Sequence, residues 1–257
     1  MVICKSPAEL DKMHRAGLIV WGALAKMRAM IRPGITTMEL DQFAEAYTAE
    51  HRARPAFKGY RGYPGSVCTS INQEVVHGIP SASRRIKEGD ILSMDFGVEL
   101  DGYFGDAALT VPVGKIAPGR EKLLRVTRES LDQAIDKVRP GNRLGDVSAA
   151  VQQWVETNGF SVVREFVGHG IGTKMHEEPQ VPNYGAAGQG PKLQEGMVLA
   201  IEPMVNCGGP AVRVLDDDWT AVTADGSDSA HFEHTVAVTS NGPWILTRPK
   251  EVKGPCW

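Results

Sequence analysis

The chain has 257 residues, long enough for one large domain or two small ones, and is 42% hydrophobic and 23% charged with a net charge of −3. The chain has no excess of basic residues of the kind that binds nucleic acid or an anionic membrane. The first residues lack a basic stretch followed by an apolar one, and no apolar run reaches about 18 residues, so we expect a cytoplasmic protein with no membrane span. The four cysteines form no CxxC pair, so we expect neither a disulfide framework nor a cysteine zinc site.

Helix signals come first along the chain. Residues 6–9 (SPAE) offer a capping serine, a proline at the first helical position and a glutamate at the third. Residues 36–39 (TTME) repeat the capping-box spacing. Over residues 121–138, apolar side chains recur at helical intervals. The sequence therefore predicts helices that begin just after Ser6 and Thr36, and a third over 121–138.

Strands are predicted in four segments rich in β-branched or aromatic residues and bounded by glycine or proline. They are "DILSMDFGVEL" (90–100), "YFGDAALTV" (103–111), "MVLAIEPMV" (197–205) and "HFEHTVAVT" (231–239). Asp101 and Gly102, between the first two, form a strong two-residue hairpin signal. The mixture of helices and hairpin strands predicts an α/β (α+β) fold, and the lack of a low-complexity linker predicts one continuous domain.

An internal repeat organises these elements. "EGDILSMD" (88–95) resembles "EGMVLAIE" (195–202), an offset of 107 residues from 88 to 195. "IRPG" (31–34) and "VRPG" (138–141) share the same offset, from 31 to 138. Two matches at one offset predict two related halves and a pseudo-twofold architecture.

The hairpin signal has a consequence for two aspartates. With Asp101 and Gly102 in the turn, Gly97 pairs with Asp106, and Asp95 shares the face of Gly97 because side chains alternate along a strand. Asp95 and Asp106 then become diagonal neighbours that can reach one ion. Solvent-facing positions are the alternative, but Asp95 follows the apolar run "ILSM", where strand propensity disfavours aspartate.

Two glutamates and a histidine extend the set. Glu202 ends the apolar run "MVLAI" at the repeat position of the first aspartate, and Glu233 lies in "HFEHT". Strand alternation places His234 on the opposite face from Glu233, as a packing residue, whereas His231 shares that face as either a rim residue or a ligand. His169 lies in "GHGIG", where the glycines disfavour a helix.

The combined candidates are two aspartates, two glutamates and one histidine. An oxygen-rich set with one nitrogen suits divalent Mn, Fe, Co or Zn rather than a cysteine site. Five protein ligands exceed what one hydrolytic metal normally takes. Two ions that share bridging carboxylates therefore fit the set better.

The contexts "MDFG", "GDAA", "GHGIG", "AIEPM" and "FEHT" resemble those of minimal, bacterial-type type I methionine aminopeptidases. "GYPGSVCTSINQEVVHGIP" (62–80) and "HEEPQVPNYG" (176–185) are further signatures of that family. The resemblance implies a pita-bread fold, in which a curved antiparallel sheet and flanking helices form two pseudo-twofold halves. It implies one catalytic domain over residues 1–249, with halves at about 5–112 and 113–249, and a C-terminal tail over 250–257.

The family removes the N-terminal methionine from nascent proteins and peptides with a small second residue, by dinuclear-metal-activated hydroxide attack on the scissile carbonyl. The resemblance thus implies two divalent ions, drawn from Co, Mn, Fe(II), Ni or Zn. Asp106 and Glu233 would bridge them and Asp95 would complete one ion. His169 and Glu202 would complete the other, and Glu202 would also carry the proton to the leaving amine.

His77 and His176 match the two family histidines that orient substrate and stabilise the tetrahedral intermediate. Further residues that resemble the methionine pocket are Tyr60, Tyr63, Cys68 and Trp219. Phe57 stands where bacterial relatives often carry cysteine, and Met175 stands where phenylalanine usually precedes "HEEP". His231 replaces a glutamine common before the final "EHT". These departures imply a pocket that is reshaped but still suited to a thioether.

Two alternatives remain open at this point. A related pita-bread hydrolase, a prolidase or proline aminopeptidase, usually carries an extra N-terminal domain that 257 residues cannot hold. A non-catalytic pita-bread binding module would have no need for buried acids that repel one another without metal. The resemblance also implies a monomer that acts on nascent polypeptides, with transient contact with the ribosome left open.

Overall fold

The computed structural model describes residues 2–252 and residue 254. Within the predicted tail at 250–257, position 253 and positions 255–257 lie outside the described residues. The helices are α1 (Pro7–Met30), α2 (Thr37–Glu50), α3 (Pro118–Ile135) and α4 (Leu144–Thr157). Across the described chain, no helix combines the length and apolar character that crossing a membrane requires.

The strands are short apart from one central pair. In chain order they are β1 (Arg54–Pro55), β2 (Cys68–Ile71), β3 (Glu74–Val76), β4 (Ile91–Leu100), β5 (Tyr103–Pro112), β6 (Ser161–Val162), β7 (Gly168–Gly170), β8 (Glu177–Val181), β9 (Val198–Ile201), β10 (Met204–Asn206), β11 (Val212–Val214), β12 (Ala221–Thr223), β13 (Ser229–His231), β14 (His234–Thr239) and β15 (Gly242–Ile245). The pairings form antiparallel sheets, in the orders β1-β4-β2 with β5 beside β4, β15-β14-β9-β7-β8, β13-β10-β6 and β11-β12-β3. Helices with antiparallel sheets confirm the predicted α/β class.

The first two helices begin where the sequence predicts. The Ser6 hydroxyl accepts the N–H of Glu9 while the Glu9 carboxylate accepts the N–H of Ser6. Thr36 and Glu39 form the same reciprocal pair at α2. Each box satisfies N–H groups that have no partner inside the helix, so both starts are determined locally.

The third helix differs from its predicted span of 121–138. It begins earlier because Pro118 occupies the first turn, where the missing N–H costs nothing. It ends at Ile135, and the chain then turns toward Pro140, which cannot continue a helix. Val138 is buried but lies beyond the helix end.

The central hairpin has the predicted register. Asp101 and Gly102 both have positive φ, 52° and 80°, as a tight hairpin turn requires. Gly97 pairs with Asp106, and Asp95 pairs with Ala108. The diagonal relation between the two aspartates is therefore present in the structure.

Two predicted strands are interrupted, so the prediction of continuous strands there is wrong. The segment 197–205 is divided between β9 and β10 with a break at Glu202 and Pro203, and the segment 231–239 is divided between β13 and β14 with a break at Phe232 and Glu233. Pro203 has no N–H to give to a ladder. The Glu233 N–H instead donates to the Ala108 carbonyl of β5 over 2.9 Å. Both glutamates thus stand where their own ladder stops.

The core holds the central hairpin in place. Helix α1 packs across β4 and β5. Its residues Val20, Leu24 and Met27 are fully buried in one cluster with Met94 and Phe96 of β4. Each such side chain contributes about 1.5–3 kcal/mol on burial. This packing supports the strand pair that carries Asp95 and Asp106.

Candidate metal centre and pocket

The candidate side chains, apart from His231, line one cavity of about 140 Å³. The candidates around it are Phe57, Tyr60, Tyr63, Cys68, His77, Asp95, Asp106, His169, Met175, His176, Glu202, Trp219 and Glu233. Arg61 also lines this cavity, and sequence reasoning missed it. A lone arginine in "YRGYPG" matches no motif, although its place in an aromatic and glycine-rich turn is a weak signal.

Three of the acids are placed by strand pairing and by bonds between strands. Asp95 and Asp106 are diagonal neighbours on β4 and β5. Glu233 exchanges backbone hydrogen bonds with Ala108 of β5, and the Thr235 hydroxyl donates to the Asp106 carbonyl over 2.8 Å. These bonds hold the start of β14 against β5. Asp106 and Glu233 are consequently 3% and 1% exposed.

His169 is oriented toward the acids by its own strand. It lies on β7, where it pairs with Ala200 of β9. Its Nδ1 is 2.9 Å from the Gly170 carbonyl, so Nδ1 carries the proton and donates there. The lone pair of Nε2 then faces the carboxylates, 3.7 Å from Glu202 Oε1 and 3.9 Å from Asp106 Oδ2. This is the orientation that a metal-binding imidazole needs.

Burial dominates the electrostatics of the cluster. It raises the pKa of Asp95 to about 7, partly opposed by a hydrogen bond with Asp106. Burial, followed by neighbouring carboxylates, raises the pKa values of Asp106, Glu202 and Glu233 well above their usual range. Burial also lowers the pKa of His169 to about 3, so its ring is neutral. These carboxyls ionise together at neutral pH only beside added positive charge.

The donor set fits a divalent metal. Among the residues that the structure describes, Asp95 Oδ1, Asp106 Oδ1 and Glu233 Oε1 are buried without a hydrogen-bond partner. Such orphaned atoms are rare in folded proteins. Ligand atoms of Asp106, His169 and Glu233 lie within 4.8 Å of one another. Carboxylate oxygens with one imidazole nitrogen are suitable ligands for Mn, Fe, Co or Zn.

The wall beside the carboxylates is aromatic and contains sulfur. Phe57, Tyr63, Cys68 and Met175 are buried in one cluster. Trp219 packs edge-on against Tyr63, with ring centroids 5.1 Å apart. Burial, followed by the charge of a nearby aspartate, raises the pKa of the Cys68 thiol. The thiol therefore stays neutral, and the wall favours an uncharged, polarizable side chain.

Phe57 and Met175 meet at a glycine of the central hairpin. A Cβ on Gly97 would lie 2.8 Å from the Phe57 ring and 3.2 Å from the Met175 methyl group. The space that a side chain on β4 would fill is thus occupied by these two residues. The two departures from the family pattern therefore pack together at one point of the pocket.

His176 lies between the pocket and the acid cluster. Its Nδ1 is 2.9 Å from the Tyr60 hydroxyl, and its ring stacks on Tyr60. The same ring lies 4.1 Å from the His169 ring, centroid to centroid. Burial, followed by the charge of Arg61, lowers the pKa of His176. A neutral imidazole with one engaged nitrogen is thus presented to the cavity.

His77 stands on the opposite part of the wall in an unusual backbone conformation. It follows β3 with φ of 62°, a left-handed value that few residues other than glycine adopt. Its ring makes edge contacts with Phe166 and Trp219. Burial lowers its pKa to about 4. Backbone outliers of this kind concentrate at functional sites.

The two histidines near Glu233 occupy different places. His231 is 1% exposed, which excludes the rim position considered from the sequence. Its Nε2 lies 3.7 Å from Glu202 Oε2, and within the described chain neither ring nitrogen has a hydrogen-bond partner. His234 is fully buried, with Nδ1 2.8 Å from the Thr247 hydroxyl. His234 is thus a core residue, whereas His231 adjoins the acid cluster.

The cluster and pocket have counterparts in known proteins. Residues 11–240 match Metallopeptidase family M24. The chain belongs to metallopeptidase family M24. Among M24 relatives, methionine aminopeptidase 1 of Bacillus subtilis is 54% identical over 248 residues, which cover 96% of this chain and all of that protein. The methionine aminopeptidase of Clostridium perfringens is 55% identical over 247 residues, covering 96% of this chain and 99% of that protein.

A solved M24 structure supports the fold. The crystal structure of methionine aminopeptidase from Thermotoga maritima has a TM-score of 0.96 and 49% identity, and covers 97% of this chain and 100% of that one. The predicted pita-bread fold is therefore confirmed. Membership of a metallopeptidase family, together with the buried donor cluster, identifies divalent metal ions as the cofactor of this M24 protein.

Proposed function

We propose that this protein removes the N-terminal methionine from peptides and nascent proteins whose second residue is small. The observation that carries the proposal is one cavity in which a buried carboxylate–histidine cluster adjoins an aromatic, sulfur-containing wall. The cluster suits metal-assisted hydrolysis, and the wall suits a thioether side chain. Relatives that match along nearly the whole chain and are methionine aminopeptidases support the same activity.

The five cluster residues would hold two divalent ions. Asp106 and Glu233 would hold both ions, Asp95 would hold one of them, and His169 and Glu202 would hold the other. The orphaned oxygens of both bridging residues and the orientation of His169 Nε2 support the assignment. When bound, the ions act as Lewis acids that make water a nucleophile near neutral pH and polarise the scissile carbonyl.

Protein groups move the proton and stabilise the developing charge. Glu202 accepts the proton of the nucleophile and delivers it to the leaving amine, since its carboxylate lines the cavity. His77 and His176 donate hydrogen bonds to the substrate carbonyl and to the oxyanion that replaces it. With Nδ1 of His176 engaged by Tyr60, Nε2 is the nitrogen that reaches the substrate.

The pocket wall selects the first side chain. The methionine thioether would contact Cys68 and Met175 and lie against the Phe57, Tyr63 and Trp219 rings. Soft sulfur and aromatic surfaces favour a polarizable, unbranched side chain. The cavity of about 140 Å³ would hold this side chain beside the scissile bond, and the small second residue is the part of the proposal that the resemblance implies.

The proposal also includes the domain organisation, the oligomeric state and the location of the protein. Residues 1–249 would form one catalytic domain of two related halves, about 5–112 and 113–249, with a tail at 250–257. Helices α1 and α2 flank one Arg-Pro-Gly turn, and α3 and α4 flank the other, which supports the two halves. The protein would act as a cytoplasmic monomer on nascent chains, with transient contact with the ribosome.

An assay with supplied metals tests the activity. The metal-free protein is reconstituted in turn with Co, Mn, Fe(II), Ni and Zn, and release of methionine from Met-Ala-Ser is measured. We expect turnover with at least one metal and a loss of about 100-fold or more in Asp106→Asn, which removes a bridging charge. Calorimetry on the same variant checks that metal binding weakens.

The same assay separates the alternatives. A prolidase or proline aminopeptidase would cleave Xaa-Pro peptides, which we expect to remain intact. A binding module would take up metal without turnover of any peptide. Absence of methionine release with all five metals refutes the proposed activity.

A further inference from the structure

A buried ion pair lies behind the loop that carries Met175 and His176. Lys5 Nζ is 2.5 Å from Glu177 Oε2, and the two side chains are 4% and 7% exposed. Buried charges of this kind need a specific partner, and removing one partner leaves the other uncompensated. Neither residue lines the cavity, and neither is among the metal-centre candidates.

Lys5 is itself fixed to the body of the protein. Its backbone N–H donates to the Gly196 carbonyl over 2.7 Å, and its Nζ also donates to the Ile3 carbonyl. The N–H of Gly196 in turn donates to Val238 of β14 over 2.9 Å. The ammonium group is therefore held by a segment tied to the sheet that contains β9 and β14.

Glu177 connects the fixed ammonium group of Lys5 to the backbone of the loop. Its Oε1 accepts the backbone N–H groups of Thr173 and Lys174, over 2.9 and 3.2 Å. These bonds close the turn that directly precedes Met175 and His176. A Cβ at Gly172 would lie 2.3 Å from Lys5 Cε and 2.6 Å from Glu177 Oε1, so the chain passes directly against the ion pair.

We propose that Lys5 is a positioning residue, which acts through Glu177 to set the place of Met175 in the substrate pocket and of His176 beside the scissile bond. This inference rests on the proposed aminopeptidase activity. The loop ends are held independently, by the Gly170 pairing with Glu177 and by the Phe104 N–H to the Gly172 carbonyl. The ion pair thus controls the turn at 173–176 rather than the whole loop.

Two variants and one matched control test the proposal. Lys5→Met removes the ammonium group and keeps an apolar chain of similar length. Lys5→Met/Glu177→Gln also removes the uncompensated carboxylate while keeping an acceptor for the two amides. Arg120→Met is the control, because it breaks the half-buried Arg120–Asp228 ion pair, which involves no residue of the cavity.

With Met-Ala-Ser and saturating metal, we expect kcat/KM to fall about tenfold or more in Lys5→Met, because small misplacements of catalytic groups cost large factors in rate. The preference for Met-Ala-Ser over Leu-Ala-Ser should fall about fivefold, because Met175 no longer lies at its place in the pocket. The double variant should recover at least about threefold in kcat/KM. Arg120→Met should keep wild-type kcat/KM and preference, and calorimetry should show metal affinity within about twofold of wild type in every variant.

Hydrogen exchange gives a readout that does not depend on activity. The Thr173 and Lys174 amides should exchange about tenfold faster in Lys5→Met, while amides of β4 keep their wild-type rates. Unchanged exchange at these amides, or unchanged peptide preference and kcat/KM in folded Lys5→Met, overturns the proposal. If the wild-type protein cleaves no methionyl peptide, the proposed function fails and exchange alone decides the role of Lys5. If Lys5→Met does not fold, Lys5→Met/Glu177→Met, which leaves no buried charge and removes the acceptor of the two amides, is judged by the same criteria.

Discussion

Replacing one of the carboxylates proposed to bind metal should make the metal-free protein more stable. Asp95 is buried, and burial raises its pKa from 3.8 to about 7. The unfolded chain releases this proton near pH 3.8, whereas the folded metal-free protein holds it to about pH 7. Its contribution to the free energy of unfolding therefore falls as pH rises across that window and is constant above it.

The size of the effect follows from the difference between the two pKa values. Each unit corresponds to about 1.4 kcal/mol, so Asp95 destabilises the metal-free protein by about 4 kcal/mol at pH 8 and about 2 kcal/mol at pH 5. Asp95→Asn removes this cost, and its amide oxygen can still accept the hydrogen bond that the protonated Asp106 carboxyl donates. The neighbouring carboxyls of Asp106, Glu202 and Glu233 also lose the charge of Asp95, which raises their pKa values in the wild type, so they shift the difference in the same direction.

Urea unfolding after chelator treatment measures the difference directly. We expect Asp95→Asn to exceed wild type by about 4 kcal/mol at pH 8, or about 10 °C in Tm, and by much less at pH 5. With metal at about 100 times its dissociation constant, wild type gains about 2.7 kcal/mol, and the variant gains less because it has lost a ligand. An equal difference at pH 5 and pH 8, or no gain in the metal-free variant, refutes the reasoning.

Substitutions at three further positions separate the parts of the site. His176→Ala should lower kcat about 100-fold while calorimetric metal affinity is unchanged, because its proposed role is with the substrate oxygen. Gly97→Ala places a methyl group 2.8 Å from the Phe57 ring and should raise KM for Met-Ala-Ser about tenfold, with kcat less affected. His231→Leu should weaken metal binding by about tenfold, whereas His231→Gln, which retains an N–H beside Glu202, should stay within about threefold of wild type in calorimetry.

The sequence predicts those parts of the structure that depend on neighbouring residues. The caps at Ser6 and Thr36 need only a partner three positions away. The hairpin register needs only the turn at Asp101 and Gly102, and that register alone places Asp95 beside Asp106. These predictions hold because the residues that decide them are adjacent in the chain.

Features that depend on distant parts of the chain are not predicted. The break at Glu233 follows from its bonds to Ala108, which lies on another sheet, so strand alternation gives the wrong context for His231. Nothing near Lys5 in sequence indicates that its ammonium group meets Glu177. Such contacts require the fold itself before they can be recognised.

The strand breaks at Glu202 and Glu233 allow both carboxylates to reach the acid cluster. If β9 and β14 continued, each glutamate would stand at the position that its ladder sets in the sheet that these two strands share. Ending β9 before Glu202 and starting β14 after Glu233 releases both from that constraint. Buried carboxylates brought together in this way oppose folding unless they hold protons or a cation. The breaks and the raised carboxyl pKa values are thus two consequences of assembling one metal centre, and both reduce the stability of the metal-free protein.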